Sequence, residues 1–156
     1  MNNPPRVATC LWFDGQAEEA AGFYTSLIEN SRITNVMRLN PGGPALMVDF
    51  TLGGAPFQAL NGGPQYRFNE AASISVSTQD QEDTDRLWTG LTADGGSEGQ
   101  CAWLKDRYGM SWQIVPKALG QFLGASDRAA AGRVMQAMLV MRKIDIARLE
   151  AAFRGE

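Results

Sequence analysis

The chain has 156 residues, 44% hydrophobic and 20% charged, a composition that suits one globular domain or two half-sized modules folded together, far from disordered or fibrous classes. Fourteen Lys and Arg against seventeen Asp and Glu leave a net charge of −3 with no basic cluster to displace counterions, so nucleic acid is not an expected partner. The absence of His removes Ser-His-Asp and Cys-His catalysis together with the commonest metal ligand.

The start of the chain, MNNPP, lacks the basic and apolar regions of a signal peptide. No apolar run approaches the roughly 18 residues of a membrane span, so no membrane association is expected and the expected location is cytoplasmic. Residues 7–13 (VATCLWF) are β-branched and aromatic without helical spacing and predict a strand that Asp14-Gly15 ends. Over residues 16–28, Ala20, Phe23, Tyr24 and Leu27 recur at helical spacing, with Glu18 and Glu19 where a helix dipole favours acids. Strands are expected at 32–38, 45–52 and 56–60, separated by Pro41-Gly42-Gly43-Pro44 and Gly53-Gly54. Cys10 and Cys101 lie in strand-like segments and read as buried thiols of a reducing compartment, a disulfide between them being the alternative.

After Asn61-Gly62-Gly63-Pro64 the order begins again. Residues 72–77 (ASISVS) predict a strand, Thr78 with Gln81 a capping box, and Leu87, Trp88 and Leu91 the buried stripe of a helix ending near residue 93. Strands near Glu98, at 101–105 and at 111–115 follow. Aligning FDGQAEEAAGFYTSL with STQDQEDTDRLWTGL matches Glu18 with Glu82, Thr25 with Thr89 and Leu27 with Leu91, an offset of 82 − 18 = 64. Gly54-Ala55-Pro56-Phe57-Gln58 pairs with Gly109-Met110-Ser111-Trp112-Gln113 at 113 − 58 = 55, so the second half has a shorter middle loop. The fold class expected is α+β, with two βαβββ modules in internal repeat (6–61 and 71–116) within a domain of residues 1–125. Residues 126–156 form a helical extension with Val134, Met138 and Met141 on one stripe, Ser126 as cap, and a second short helix around Ile144, Ile146 and Leu149.

The segments LWFDGQAEEAAGFYTSLIENSRI, APFQALNGGPQYRFNEA, GQCAWLKDRYGMSWQIVP and MQAMLVMRKIDIARLEAAF resemble the PhnB-like proteins, often labelled 3-demethylubiquinone-9 3-methyltransferase. These belong to the vicinal oxygen chelate superfamily, with glyoxalases, bleomycin-resistance proteins and extradiol dioxygenases. The resemblance implies a half-open barrel, commonly in a homodimer. It also implies a divalent metal held by His or Glu from the first and last strands of each module, positions that carry over to Thr9, Gln58, Ser73 and Gln113. Those four are neutral and poorly suited to replace a metal's hydration shell. An acidic alternative from Asp49, Glu70 and Glu98 has no ligand-like spacing, and Gln65 stands where many relatives carry His. Against the methyltransferase label, no G-x-G-x-x-G occurs. Neither a metal nor another cofactor is expected.

Alternation places Thr9, Leu11 and Phe13 on one face of the first strand and Cys10 and Trp12 on the other. With Thr9 facing a concavity, Ser73, Ser75, Gln58, Leu60 and Gln113 would join it. Thr9, Phe13, Gln58, Leu60, Ser73, Ser75, Trp103 and Gln113 are therefore the candidate ligand-binding residues, with Lys105 at the rim and Trp12 and Trp112 packed beneath the helices. The alternative is that these polar groups satisfy one another in a filled core. Three functions follow: metal-independent binding of a small apolar or aromatic molecule, an enzyme of the superfamily or a methyltransferase, and a dimeric interaction protein using its Met-rich tail.

Overall fold

In the computed structural model, which describes residues 5–156, alternating apolar residues on short strands meet apolar helix stripes twice over, in two units that divide between Arg67 and Phe68. The first holds β1 (Thr9–Phe13), α1 (Ala17–Leu27), β2 (Arg32–Arg38), β3 (Ala45–Leu52) and β4 (Ala55–Asn61). The second repeats the order with β5 (Ser73–Thr78), α2 (Gln81–Thr92), β6 (Ser97–Glu98), β7 (Trp103–Lys105) and β8 (Ser111–Pro116). It then continues into α3 (Lys117–Leu123), α4 (Arg128–Leu139) and α5 (Ile146–Arg154). The protein is thus mixed α+β with two four-stranded sheets, ordered β1-β4-β3-β2 and β5-β8-β7-β6, neither closing on itself. In each, the first strand runs parallel to the last and the other pairings are antiparallel.

In the first unit Leu11, Phe13, Val48, Phe50 and Ala59 are buried against Ala17, Ala20, Ala21 and Tyr24 of α1. The Asn61 side chain fixes the helix there, its Oδ1 accepting from the Ala17 N–H at 2.9 Å and its Nδ2 donating to Ala45 O at 2.8 Å. In the second unit Trp112, Ile114 and Leu104 lie under Leu87, Trp88 and Leu91 of α2. Asp106 is 2% exposed and organises the turn before β8, accepting from the Tyr108 and Met110 N–H groups and, through its other oxygen, from Trp112 Nε1 at 2.9 Å.

Several expectations change at this level. The cap of α2 is Asp80, whose carboxylate accepts from the Asp83 N–H at 2.9 Å; the Thr78 hydroxyl is buried and bonded to Thr84 at 2.6 Å. Asp127, not Ser126, caps α4, and α3 is an additional element, its seven residues too few to show a helical period in the sequence. Both cysteines are free, Cys10 exposed and Cys101 half-buried. Cys101 and Ala102 are not strand but a turn with φ of 52° and 73°. Trp112 packs beneath α2 as expected. Trp12, however, is in line with Leu60 on the face away from α1, where its Nε1 donates to Gly63 O at 2.8 Å and its ring meets Tyr66 edge-on. A Cβ at Gly62 would fall 2.3 Å from that ring, so only glycine fits there.

Candidate functional site

Residues paired across a sheet share a face, so the register decides which candidates meet. In the first sheet Cys10 pairs with Gln58, Gln58 with Asp49 and Asp49 with Asn35, giving one polar row opposite α1. Asp49 binds both amide side chains, accepting from Gln58 Nε2 at 2.8 Å and Asn35 Nδ2 at 3.1 Å. Thr9 pairs with Phe57 and Phe13 with Asn61, on the α1 side, and Phe13 is only 3% exposed. Gln58 and Leu60 therefore share a face with Cys10 and Trp12, and Thr9 and Phe13 do not.

The cause is a single residue. The helices repeat at an offset of 64 (Ala17 to Gln81), but Cys10–Gln58 and Ser75–Gln113 are equivalent strand pairs, an offset of 65. The turn between first strand and helix is one residue shorter in the second unit, and a one-residue shift reverses every side chain of a strand.

In the second sheet the expected residues come together. Ser75 pairs with Gln113 and Gln113 with Trp103; beside them Ser73 pairs with Ser111 and Ser111 with Lys105. All lie on the face opposite α2, and Gln113 Nε2 donates to Ser73 Oγ at 2.9 Å. At the β6–β7 side of this face is a cleft of about 500 Å³, walled by Trp103 and edged by Glu70, Glu98, Gln100 and Lys105, with Leu104 and Ser111 also in its lining. Ser111 is 1% exposed, and among the described residues its Oγ finds no hydrogen-bond partner.

The charges of the cleft are mutually neutralised. Lys105 Nζ meets Glu70 at 2.5 Å, and this hydrogen bond is the main cause holding the Glu70 carboxyl below its ordinary value. One Glu98 oxygen accepts from Trp88 Nε1 at 2.6 Å while the other lies 3.5 Å from Arg142. What remains is an aromatic wall, an unpaired hydroxyl and no uncompensated charge. The sequence marked Trp103 and Lys105, but Ser111 had no signal beyond its neighbour Gln113, since a hydroxyl's lack of partners is a property of packing.

This donor set does not fit the divalent metal of the superfamily. The equivalent first- and last-strand positions carry Cys10 and Gln58 in one unit and Ser75 and Gln113 in the other, with the Gln58 amide bound to Asp49 and the Gln113 amide to Ser73. Among the described residues no three His, Cys, Asp or Glu side chains gather. Three of those four groups are neutral oxygen or amide donors, and burial raises the pKa of the fourth, the Cys10 thiol, away from the thiolate that metals prefer.

Two βαβββ units, each with its helix on one sheet face and polar residues on the other, are the paired-module architecture that the resemblance to the vicinal oxygen chelate superfamily implies. The sequence profile of the 3-demethylubiquinone-9 3-methyltransferase family matches residues 5–115, and the chain belongs to that PhnB-like family. A solved structure described as a putative 3-demethylubiquinone-9 3-methyltransferase, PhnB protein, from Bacillus cereus is 30% identical, with 72% of this chain and 99% of that one covered and a TM-score of 0.64. Protein PA1353 from Pseudomonas aeruginosa shares the fold at 18% identity, with 72% and 97% covered and a TM-score of 0.57. So does the fosfomycin resistance protein FosX from Listeria monocytogenes, at 14% identity, 78% and 98% coverage and a TM-score of 0.54. No functionally curated protein matches the sequence. Among the described residues no helix is long and apolar enough to cross a membrane.

Proposed function

We propose that the protein binds a small, uncharged aromatic or apolar molecule, without a metal, on the α2-opposed face of its second sheet. The observation that carries this reading is Ser111: a buried hydroxyl without a partner, lining a cleft whose wall is an indole. Buried polar groups in folded proteins are almost always satisfied, so an orphan hydroxyl beside a cavity calls for a partner the protein does not supply, and a ligand group is the partner proposed. The paired charges at the rim favour an uncharged guest, because a charged one would have to displace Glu70 or Arg142 from a partner already in contact. Trp103, Ser73, Ser75 and Gln113 supply the surrounding face. Gln58 and Leu60 belong to the corresponding face of the first sheet and are proposed to serve a ligand of the same kind.

The first probe is 2-naphthol, a fused ring with one hydroxyl, within a thermal-shift panel of uncharged aromatic compounds. A ligand at a hundred times its Kd adds about 2.7 kcal/mol, which for a chain of this size raises Tm by about 5–10 °C. The gain should persist in chelator and disappear in Trp103→Ala. Saturation of the panel without any shift, or shifts that require a divalent ion, would count against the reading. The proposal includes a cytoplasmic homodimer. Two free thiols suit a reducing compartment, and Met135, Leu139 and Val140 at the end of α4 leave apolar surface for a second copy. Light scattering reads the oligomeric state directly.

A further inference from the structure

The tip of the β6–β7 hairpin is built against its own sequence. Cys101 and Ala102 are its central residues, both with positive φ (52° and 73°), and Trp103 N–H closes the turn on Gln100 O at 3.1 Å. Turns of this kind favour Asn-Gly, and two side chains carrying a Cβ adopt the conformation only when the surroundings impose it. The imposing groups come from β8, whose Ile114 N–H donates to Ala102 O at 2.9 Å, and from the link between α4 and α5. Met141 O accepts from the Cys101 N–H at 2.8 Å and Arg142 O from the Ala102 N–H at 2.9 Å. The Ala102 methyl is buried in one cluster with Leu119, Val134, Met141, Ile144 and Leu149.

That link is itself fixed to α2. Gln81 Nε2 donates to Ile144 O at 3.0 Å, Gln81 Oε1 accepts from the Ile146 N–H at 2.8 Å, and Lys143 pairs with Asp85 at 2.6 Å. The residues on either side of the strained pair, Gly99, Gln100 and Trp103, line the cleft. All of this extension lies beyond residue 115, where the family match ends.

We infer that the C-terminal extension is a positioning element for the cleft: residues 141 and 142 hold the hairpin in a turn its own residues disfavour, and so set where the Trp103 wall stands. What the cleft holds rests on the binding reading above, but the coupling has a readout of its own. In the full chain, Met141→Ala and Leu149→Ala hollow the same cluster, one in the link whose carbonyls bond the hairpin and one on α5. Amide exchange at Cys101 and Ala102, referred to the Val76 amide of β5, should accelerate by about tenfold or more in Met141→Ala. The Trp103 indole resonance should move with it and 2-naphthol should bind several-fold more weakly. Leu149→Ala should leave the hairpin readouts near wild type, and the volume-conserving Met141→Leu should restore them.

Unchanged hairpin exchange and an unmoved indole in Met141→Ala would overturn the inference, as would equal effects of Leu149→Ala. So would wild-type affinity for 2-naphthol in a variant whose hairpin has loosened. If Met141→Ala does not fold, Met141→Val, a smaller cut into the same cluster, is read by the same measurements. Failure of the wild-type protein to bind 2-naphthol would strike the binding reading, while the exchange and indole data would still decide the coupling.

Discussion

Replacing Ser111 with Ala should make the free protein more stable and its complex weaker. The hydroxyl is 1% exposed, without a partner among the described residues, so folding strips its water and returns nothing. An unsatisfied buried polar group costs about 1–3 kcal/mol. Removing it should raise Tm by at least about 2 °C in a chain of this length. A ligand that bonds to the hydroxyl gains about 0.5–1.5 kcal/mol net, so loss of that bond weakens 2-naphthol by about 2- to 12-fold. Urea denaturation with an unchanged m-value measures the first quantity and isothermal titration the second. Ser75→Ala, an exposed serine on the same face, serves as the control and should change stability by less than about 0.5 kcal/mol. A drop in stability for Ser111→Ala would show that the hydroxyl is already satisfied in the free protein and would remove the reason for placing a ligand there.

Asp106→Ala should destabilise the second unit by about 2–3 kcal/mol or more, because two buried donors and one half-buried donor lose their acceptor at once; a loss under about 1 kcal/mol in urea would contradict the bonding described. Cys10, the more exposed thiol, should alkylate before the half-buried Cys101, with a rate still climbing at pH 9.0 because partial desolvation raises its thiol pKa above that ordinary value. Mass spectrometry showing Cys101 modified first would contradict the register of β1. For Glu70, a carboxyl lowered from 4.5 stabilises its contact with Lys105 above that pH and loses it as pH falls through the folded-state value. The Glu70 side-chain carboxyl resonance should therefore titrate with a midpoint below 4.5, and that midpoint should move back up in Lys105→Met.

Most of the architecture could be read from the residues themselves. β2 and β3 have the expected ends, α1 and α2 fall within a residue or two of theirs, and the order strand, helix, three strands recurs as the internal match of Glu18 with Glu82 implied. Local periodicity and turn chemistry fix such features within a few residues, so they survive in the linear sequence. Facing is different. Thr9 and Phe13 lie on the α1 side because the turn between first strand and helix differs by one residue between the units, and a strand has no tolerance for an error of one. The hairpin at Cys101 and Ala102 was hidden for another reason. Its backbone is dictated by carbonyls some 40 positions downstream, at Met141 and Arg142, which no local pattern reports. Ser111 illustrates the same limit at the site. Its residue type is ordinary in a strand, and only its burial among groups that cannot bond to it makes it a candidate.

A crystal structure of the protein with the strongest hit of the thermal-shift panel, grown in the presence of a chelator, tests the central claim most directly. The guest's ring should lie against Trp103 and its polar atom within hydrogen-bond distance of Ser111 Oγ, with Glu70 still on Lys105. A guest seated elsewhere, or binding that vanishes with the chelator and returns with a divalent ion, would contradict it.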